Sequence, residues 1–545
     1  MFSSSCPQTV LPIAQDLNTN LLTSITCLLH PSQIPPVELV LPTEENSARQ
    51  VEAVLSVDTD SLQLDNIAPP SPLAGNLPID IIHEVLERWI AIDQNVSWTA
   101  LRISRRWSQA VTCYSPIWRR ICLNPVGLSV EECRSRVAEN VRYASNSPLD
   151  IHIRWYGNLS LRSKRLEDKA HLYDKAMRAG IWEARKASST WKSLSLHVCS
   201  THQIDELLEA FRLRRRTNEQ GLAGLQSLRI VADEESPFYE VMGWANLPKA
   251  WFLQETPNLR SLICLGFRFR SGADEKLPSF FSALRTLTLG RCTFIRVTEL
   301  RNMMETCTML EELTLVDISW SMDLANPDQG TTLTHSSLRQ LRIFCASRLE
   351  PSTIVAMNEM RLTLPSLQRL QVCRPVIRKV ENCWCGKGEQ REGDEDGTAL
   401  LKFVERLNTS LVDLHIAGLI MRDSQLQQLL RLVPHLRRLT ASFSASLLLR
   451  LAVTKAGVML CPRLQNLTAV GCHEEHVASL GVVAQTRMGK ELSCRRTDEP
   501  GDVLRNLRVQ GCPKTREQVE EMGKRMAKGV VSYSDEDEGT YNLPP

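Results

Sequence analysis

The chain has 545 residues, and its 64 Lys and Arg nearly balance 62 Asp and Glu, for a formal net charge of +2. With 43% hydrophobic and 23% charged residues it has ordinary globular composition, and the charge balance excludes a dedicated nucleic-acid coat or polybasic membrane binder. No uninterrupted apolar run approaches the roughly 18 residues of a membrane span, so no transmembrane helix is expected.

Residues 1–74 hold eight acids and a single base, Arg49, leaving the remainder at +9. Pro35-Pro36, Pro69-Pro70 and Ser71-Pro72 punctuate this stretch, which reads as a flexible acidic arm. No base precedes an apolar run at the start and Asp16 interrupts it, so no secretory signal is read. Without one, the 17 scattered cysteines are expected as free thiols in a reducing compartment, cytoplasmic, nuclear or both.

Residues 75–123 form a small helical module. Ile81, Ile82, Val85, Leu86 and Trp89 fall on one face at helical spacing, with Pro78 suited to the first helical position. A second helix is expected over Trp98–Val111 and a third short element from Tyr114 to Trp118. Three short helices in so few residues bury little core of their own and lean on a partner. The stretch contains Leu77-Pro78-Ile79-Asp80-Ile81-Ile82, then Ile103-Ser104-Arg105-Arg106-Trp107, then Ser115-Pro116-Ile117-Trp118. In these three motifs and their spacing it resembles the F-box, departing at Ser104, where the family has Cys, and at Ile117, where it has Leu. The resemblance implies adaptor contacts from Leu77, Pro78, Ile81, Ile82, Val85 and Leu86, some of which face the module's own core instead. It gives Ile103, Trp107 and Trp118 a mainly structural role. Read from the residues alone, the same apolar set also suits a helical cap for a repeat array.

From residue 124 to 530 the pattern Leu-x-x-Leu-x-(Leu/Ile/Val) recurs. Leu225-Gln-Ser-Leu228-Arg-Ile230, Leu284-Arg-Thr-Leu287-Thr-Leu289, Leu338-Arg-Gln-Leu341-Arg-Ile343 and Leu504-Arg-Asn-Leu507-Arg-Val509 are examples. The first leucines step by 34, 25, 26, 28, 29, 44, 25, 28 and 40 residues. Trp191-Lys-Ser-Leu194-Ser-Leu196 is a degenerate upstream copy, and Leu149, Ile151 and Ile153 suggest one more strand. Apolar positions two apart share one face of a strand. Between copies, Ile204, Leu207, Leu208 and Phe211 fit one helical face, as do Leu300, Met303, Met304 and Cys307, and Leu426, Leu429, Leu430 and Val433. Thr201, Thr298 and Asp423 stand where helix N-caps are expected. Strand and helix alternating at this period is the leucine-rich repeat. The expected fold is therefore an α/β solenoid: a small all-α F-box-like three-helix module, then an irregular repeat arc with parallel strands concave and helices convex. The Asn of the tightest repeats is mostly missing.

The 44-residue step carries a loop insertion at about 378–400, with Cys383-Trp384-Cys385, several glycines and the charged run Glu389–Asp396. Its cysteines, even with Cys373, match no common zinc spacing and read as incidental to an exposed loop. Cys472-His473-Glu474-Glu475-His476 is not His-Glu-x-x-His and reads as strand-end turn chemistry with surface histidines. No phosphate loop, dinucleotide fingerprint or nucleophile motif occurs, so no catalytic site, metal or cofactor is expected. Basic runs at Arg162–Lys169 and at Arg212, Arg214, Arg215 and Arg216 would suit an acidic or phosphorylated segment, or serve as solvated helix ends. Residues 531–545 read as an acidic disordered tail, with Ser534 ahead of four acids as a possible kinase target.

The combined resemblance implies a substrate-recognition subunit of a Skp–cullin–F-box ubiquitin ligase. Its partners would be a Skp-type adaptor, through it a cullin, and a protein substrate on the repeats, with no nucleic acid and no membrane. The rival expectation is a leucine-rich-repeat scaffold or inhibitor acting by surface occlusion.

Overall fold

A computed structural model describes residues 77–90, 96–125, 128–155, 164–198, 203, 207, 222–232, 256–266, 268–269, 279–294, 297–320, 332–345, 353–374, 393–407, 410–419, 421–452, 460–472, 474–488, 504–511, 516–525 and 531–534. The acidic arm, Cys383-Trp384-Cys385, the arginines at 212–216 and the tail beyond 534 lie outside the described residues. The chain divides into two compact units, Met1–Trp118 and Arg119–Pro545.

The described part of the first unit is helical: α1 Ile79–Ile90, α2 Val96–Ala100, α3 Arg105–Cys113 and α4 Ser115–Trp118. The continuous helix expected over residues 98–111 is thus two, because Ser104 breaks it. Its backbone is extended and its hydroxyl accepts a hydrogen bond from the Trp107 amide at 3.3 Å, capping α3. Pro78 precedes α1 instead of opening it, and its carbonyl accepts from the Ile82 amide at 3.1 Å. Ile82, Leu86, Trp107, Val111, Ile117 and Trp118 fill the interior. The Trp118 indole donates to the Val111 carbonyl at 2.8 Å, so its polar atom is satisfied inside the apolar centre.

The second unit carries 19 strands among its described residues. They are β1 Arg120–Leu123, β2 Leu149–Arg154, β3 Trp191–Val198, β4 Ser227–Ala232, β5 Ser261–Leu265, β6 Arg268–Phe269, β7 Thr286–Gly290, β8 Thr293–Phe294, β9 Glu312–Val316 and β10 Ser319–Trp320. Then follow β11 Leu333–Thr334, β12 Gln340–Phe344, β13 Leu362–Thr363, β14 Arg369–Cys373, β15 Asp413–Ala417, β16 Arg438–Ser442, β17 Asn466–Cys472, β18 Asn506–Gly511 and β19 Val531–Ser534. The crossover segments contain α5 Val130–Ala144, α6 Lys164–Arg185, α7 Val297–Thr306, α8 Thr353–Glu359, α9 Gly393–Arg406, α10 Asp423–Leu432, α11 Ala445–Ala452, α12 Glu474–Met488 and α13 Arg516–Arg525.

Fourteen strands form one sheet whose order follows the chain, β1-β2-β3-β4-β5-β7-β9-β12-β14-β15-β16-β17-β18-β19. Every neighbouring pair is parallel, so each strand is reached by a crossover from the last, an α/β arrangement consistent with a solenoid. The two-residue strands make two further small parallel sheets, β10-β8-β6 and β11-β13.

The register follows the repeat. One row of partners runs from Ile121 and Ile151 through Leu194, Leu228, Leu341 and Leu439 to Leu507 and Val531. A second row, two residues on, runs from Leu123 through Leu196, Ile343 and Ile416 to Val509 and Tyr533. The first leucine of each copy, Leu225 through Leu504, is buried just ahead of its strand. Trp191 takes that place in the degenerate copy, fully buried with its indole donating to the Ala184 carbonyl at 3.2 Å. Two of the three expected helix faces are buried too, at Leu300, Met303, Met304 and Cys307 and at Leu426, Leu429, Leu430 and Val433; of the third, Leu207 is buried and Ile204, Leu208 and Phe211 lie outside the described residues.

Several local expectations are corrected. Residues 120–123, grouped above with the helical module, are the sheet's first strand, because Ile121 and Leu123 start both buried rows. Residues 531–534 are not tail: Val531 and Tyr533 continue the rows as the last strand. The insertion ends earlier than expected, since residues 393–400 belong to α9, whose Ala399, Leu400, Phe403 and Val404 are buried. Asp396, from the charged run assigned to a solvent-exposed loop, is 5% exposed and pairs with Arg374 at 3.0 Å. Neither Thr298 nor Asp423 is an N-cap. Thr298 lies inside α7, and Asp423 opens α10, its carboxylate accepting from the Ser444 and Ser446 hydroxyls.

Leaving the strands requires a sharp backbone reversal. Gly266, Arg291, Asp317 and Gly418 each follow a strand directly with positive φ. At Gly418 a Cβ would sit 2.1 Å from the Arg374 carbonyl oxygen, so glycine is required by space as well as by φ. Replacing fully buried Leu313 or Leu341 by Ala is expected to cost about 2–5 kcal/mol, while Thr288→Ala on the opposite face changes stability by no more than about 0.5 kcal/mol. Urea unfolding followed by circular dichroism checks this; equal losses on the two faces would contradict the register.

Candidate functional site

The first unit's α1 separates the six proposed adaptor-contact residues into two sets. Ile82, Val85 and Leu86 point into the helical interior, at 0%, 7% and 0% exposure. Leu77 is half-buried, Pro78 is exposed, and Ile81 is exposed at 36%. Ile79, absent from the expected set, is exposed at 41% beside them. The physical reason is position: the first turn of a helix has no preceding turn to cover it, and among the described residues Ile79 stays exposed. The outward apolar residues are therefore Leu77, Pro78, Ile79 and Ile81, at the start of α1 with exposed Asp80 among them. Of the three residues given a structural role, Trp107 and Trp118 are buried and Ile103 is half-buried in the turn between α2 and α3.

The remaining contacts hold α1 in place. His83 stacks on Tyr114, ring centroids 4.3 Å apart, and its Nε2 lies 3.3 Å from the Ala110 carbonyl. The Tyr114 hydroxyl donates to the Glu87 carboxylate. Trp98 meets Trp118 edge to face at 5.6 Å. The His83 and Glu87 contacts tie α1 to α3 and to Tyr114 just beyond it, and the tryptophan pair ties α2 to α4.

The second candidate surface is the face of the large sheet opposite the buried rows. Its outward positions alternate with the ladder. On β1 to β4 they include Arg120, His152, Arg154, His197 and Arg229, with Asp150 among them. On β5 to β9 they are Ser261, Ile263, Thr286, Thr288, Glu312 and Thr314. Farther along come Arg342, Arg369, His415 and Arg438, the last paired with Asp413 at 3.5 Å. Repeat leucines reveal where this face lies but leave its side chains free to vary.

No family model matches this chain, and no curated protein matches it.

Among the described residues, no group of three or more His, Cys, Asp or Glu could hold a metal ion, and no helix is long and apolar enough to cross a membrane. Burial pushes the thiols of Cys307, Cys461 and Cys472 up to about 12 and that of Cys345 up to about 11, and it raises Cys133 and Cys264 as well. A thiol held protonated is a poor nucleophile. In the Cys472-to-His476 segment, the expectation of surface histidines fails at His476, which is buried at 8% exposure on α12. Gly471, with φ +69, creates the irregularity there: the register with β18 shifts between Val470 and Cys472. Arg487, also on α12, is 2% exposed and donates to the carbonyls of Leu451 at 2.9 Å, Cys461 at 3.0 Å and Leu460, closing the end of the preceding repeat. Such interior polar anchors carry no sequence signature.

Iodoacetamide at neutral pH is expected to alkylate exposed Cys113 in the native protein, and Cys307, Cys461 and Cys472 only after unfolding. Peptide mass spectrometry reads the sites, and native labelling of the last three would contradict their burial.

Proposed function

We propose that this chain is a non-catalytic substrate-recognition adaptor of a ubiquitin ligase. Its F-box-like unit docks on a Skp-type subunit and through it a cullin, while leucine-rich repeats hold a protein substrate. The observation that carries the reading is the outward apolar end of α1, Leu77, Pro78, Ile79 and Ile81, in a unit whose other large apolar side chains are mostly packed inward. An apolar end on a rigid helix is a docking feature, since its desolvation favours association and little ordering is needed on binding. Leu77-Pro78, Trp107 and Trp118 are the residues in which the sequence resembles the F-box. The parallel in-chain-order sheet with its recurring Leu-x-x-Leu-x-Leu pattern supports leucine-rich repeats. An extended, polar, two-residue-periodic face is suited to gripping another protein.

On this reading the chain contributes proximity, and the transfer chemistry belongs to its partners. Ile79 replaces Ile82, Val85 and Leu86 in the adaptor contact, because those three are committed to the interior.

Full-length protein co-expressed with a Skp-type adaptor is expected to form a complex that survives gel filtration. The double variant I79D/I81D should abolish it while shifting stability by no more than about 0.5 kcal/mol, since both side chains are already exposed. I82A should instead destabilise the unit by about 2–5 kcal/mol. A wild-type chain that fails to bind, or an I79D/I81D chain that still does, overturns the docking assignment. Failure of the wild type favours the occluding scaffold.

A further inference from the structure

The large sheet ends on a loosely held strand. β19 is last in the order and pairs only with β18 among the described residues. Its Val531 and Tyr533 continue the two inward rows, yet both are half-buried, whereas Leu507 and Val509 beside them on β18 are fully buried. Gly523 of α13 lies against Val531 at the strand's start. Ser534 closes the strand three residues farther on, about 10 Å away. It is in register with Gln510 of β18. Gln510 is only 7% exposed, and its amide nitrogen Nε2 is buried without a hydrogen-bond partner. A buried donor left unpaired is a standing penalty on the fold.

We propose that Ser534 is a phosphorylation site for an acid-directed serine kinase, and that its phosphate accepts a hydrogen bond from the Gln510 amide and fastens the last strand to the sheet. The kinase moves the terminal phosphoryl group of ATP. A bond forms between that phosphorus and the serine oxygen, and the bond from the phosphorus to the bridging oxygen of ADP breaks. ADP leaves, and the hydroxyl proton passes to the kinase's base. Asp535, Glu536, Asp537 and Glu538 follow Ser534 directly in the sequence, one unbroken acidic run that complements a basic substrate groove. The inference depends on the order and register of the sheet and is independent of the ligase reading.

Two separate observations meet at one register position. The acids mark Ser534 for a kinase, and Gln510 marks the same place for an acceptor. Ladder partners in a parallel sheet share a face and stand about 5 Å apart, so a phosphate on Ser534 comes within hydrogen-bonding reach of Nε2. A phosphate oxygen is charged and accepts more strongly than a hydroxyl, so the bond is charge-assisted. The other oxygens stay at the open edge of the sheet in water, which avoids burying the whole dianion. The edge also suits the kinase: β19 is already extended, and it detaches by breaking a single ladder. The terminal unit of a repeat array lacks one neighbour, so a clamp there changes local order more than it would in mid-array.

The test uses the full chain, incubated with casein kinase II and ATP, with the phosphate mapped by peptide mass spectrometry. Ser534 is expected to carry it in the wild type and in S532A, and S534A should lose it. Absence of phosphate from Ser534 overturns the assignment. Hydrogen exchange read by mass spectrometry then follows residues 531–534. Phosphorylation is expected to slow exchange there by about threefold or more and to leave β16 unchanged. Q510M removes the amide at nearly constant volume. Before phosphorylation it should unfold at the same temperature as the wild type or higher, because the donor it loses is unpaired. After phosphorylation it should show no slowing. Q510E keeps the length of the side chain but repels the phosphate, and its last strand should exchange faster once phosphorylated. Unchanged exchange in the phosphorylated wild type, slowing that persists in Q510M or Q510E, or a lower unfolding temperature in Q510M overturns the clamp.

Discussion

A repeat of this length cannot bury its own leucines. One strand and one helix expose as much apolar surface as they cover, so each unit becomes stable only against its neighbours. Fourteen strands in chain order, all parallel, are the consequence. Leu194, Leu228, Leu341 and Leu439 occupy one continuous row, and the ladder fixes the positions of all the side chains between them. Burying a leucine contributes roughly 1.5–3 kcal/mol, so a register slip of one residue, which would turn a whole strand's leucines outward, is strongly disfavoured.

That constraint frees the other face. Once the rows are buried, the intervening residues carry no packing duty and can be chosen for a partner. The first four strands use this freedom for arginine and histidine, the next ones for serine and threonine. Ends and crossovers are specified differently. Gly418 meets a steric limit, Arg487 satisfies carbonyls at a repeat end, and the Arg374–Asp396 pair fastens α9 after the longest interval between repeat leucines to contain a described helix.

The helical unit follows another logic. It is too small for a large core, and two tryptophans, Trp107 and Trp118, supply much of what it has. Trp118 closes the interior by giving its indole proton to Val111. With α1 pinned by His83, Leu86 and Ile82, its first turn is left outside. The exposed first turn of α1 and the patterned sheet face are the two features from which the adaptor role is proposed.

The amino-acid sequence by itself determined the strands of the repeated frame and which of their residues are buried, because a spacing of two in that frame admits one inward face. It located Trp191 as the degenerate copy and the helix faces around Met303 and Leu429 for the same reason. What it left open were quantities that depend on neighbours distant in the chain. Ile82 and Ile81 are equally apolar, and only the packing of α3 against α1 makes one core and the other surface. Asp396 looked like part of a solvated charge run until Arg374 came within 3.0 Å. Residues 531–534 match the repeat only as a strand, lacking its leading leucine, and residues 120–123 have Trp118 in that place as the degenerate copy has Trp191; both lie at the open edges of the sheet. The surroundings of His152 were hidden altogether: Arg120 and Arg229 are 109 positions apart and become neighbours of one histidine only when three crossovers place their strands side by side.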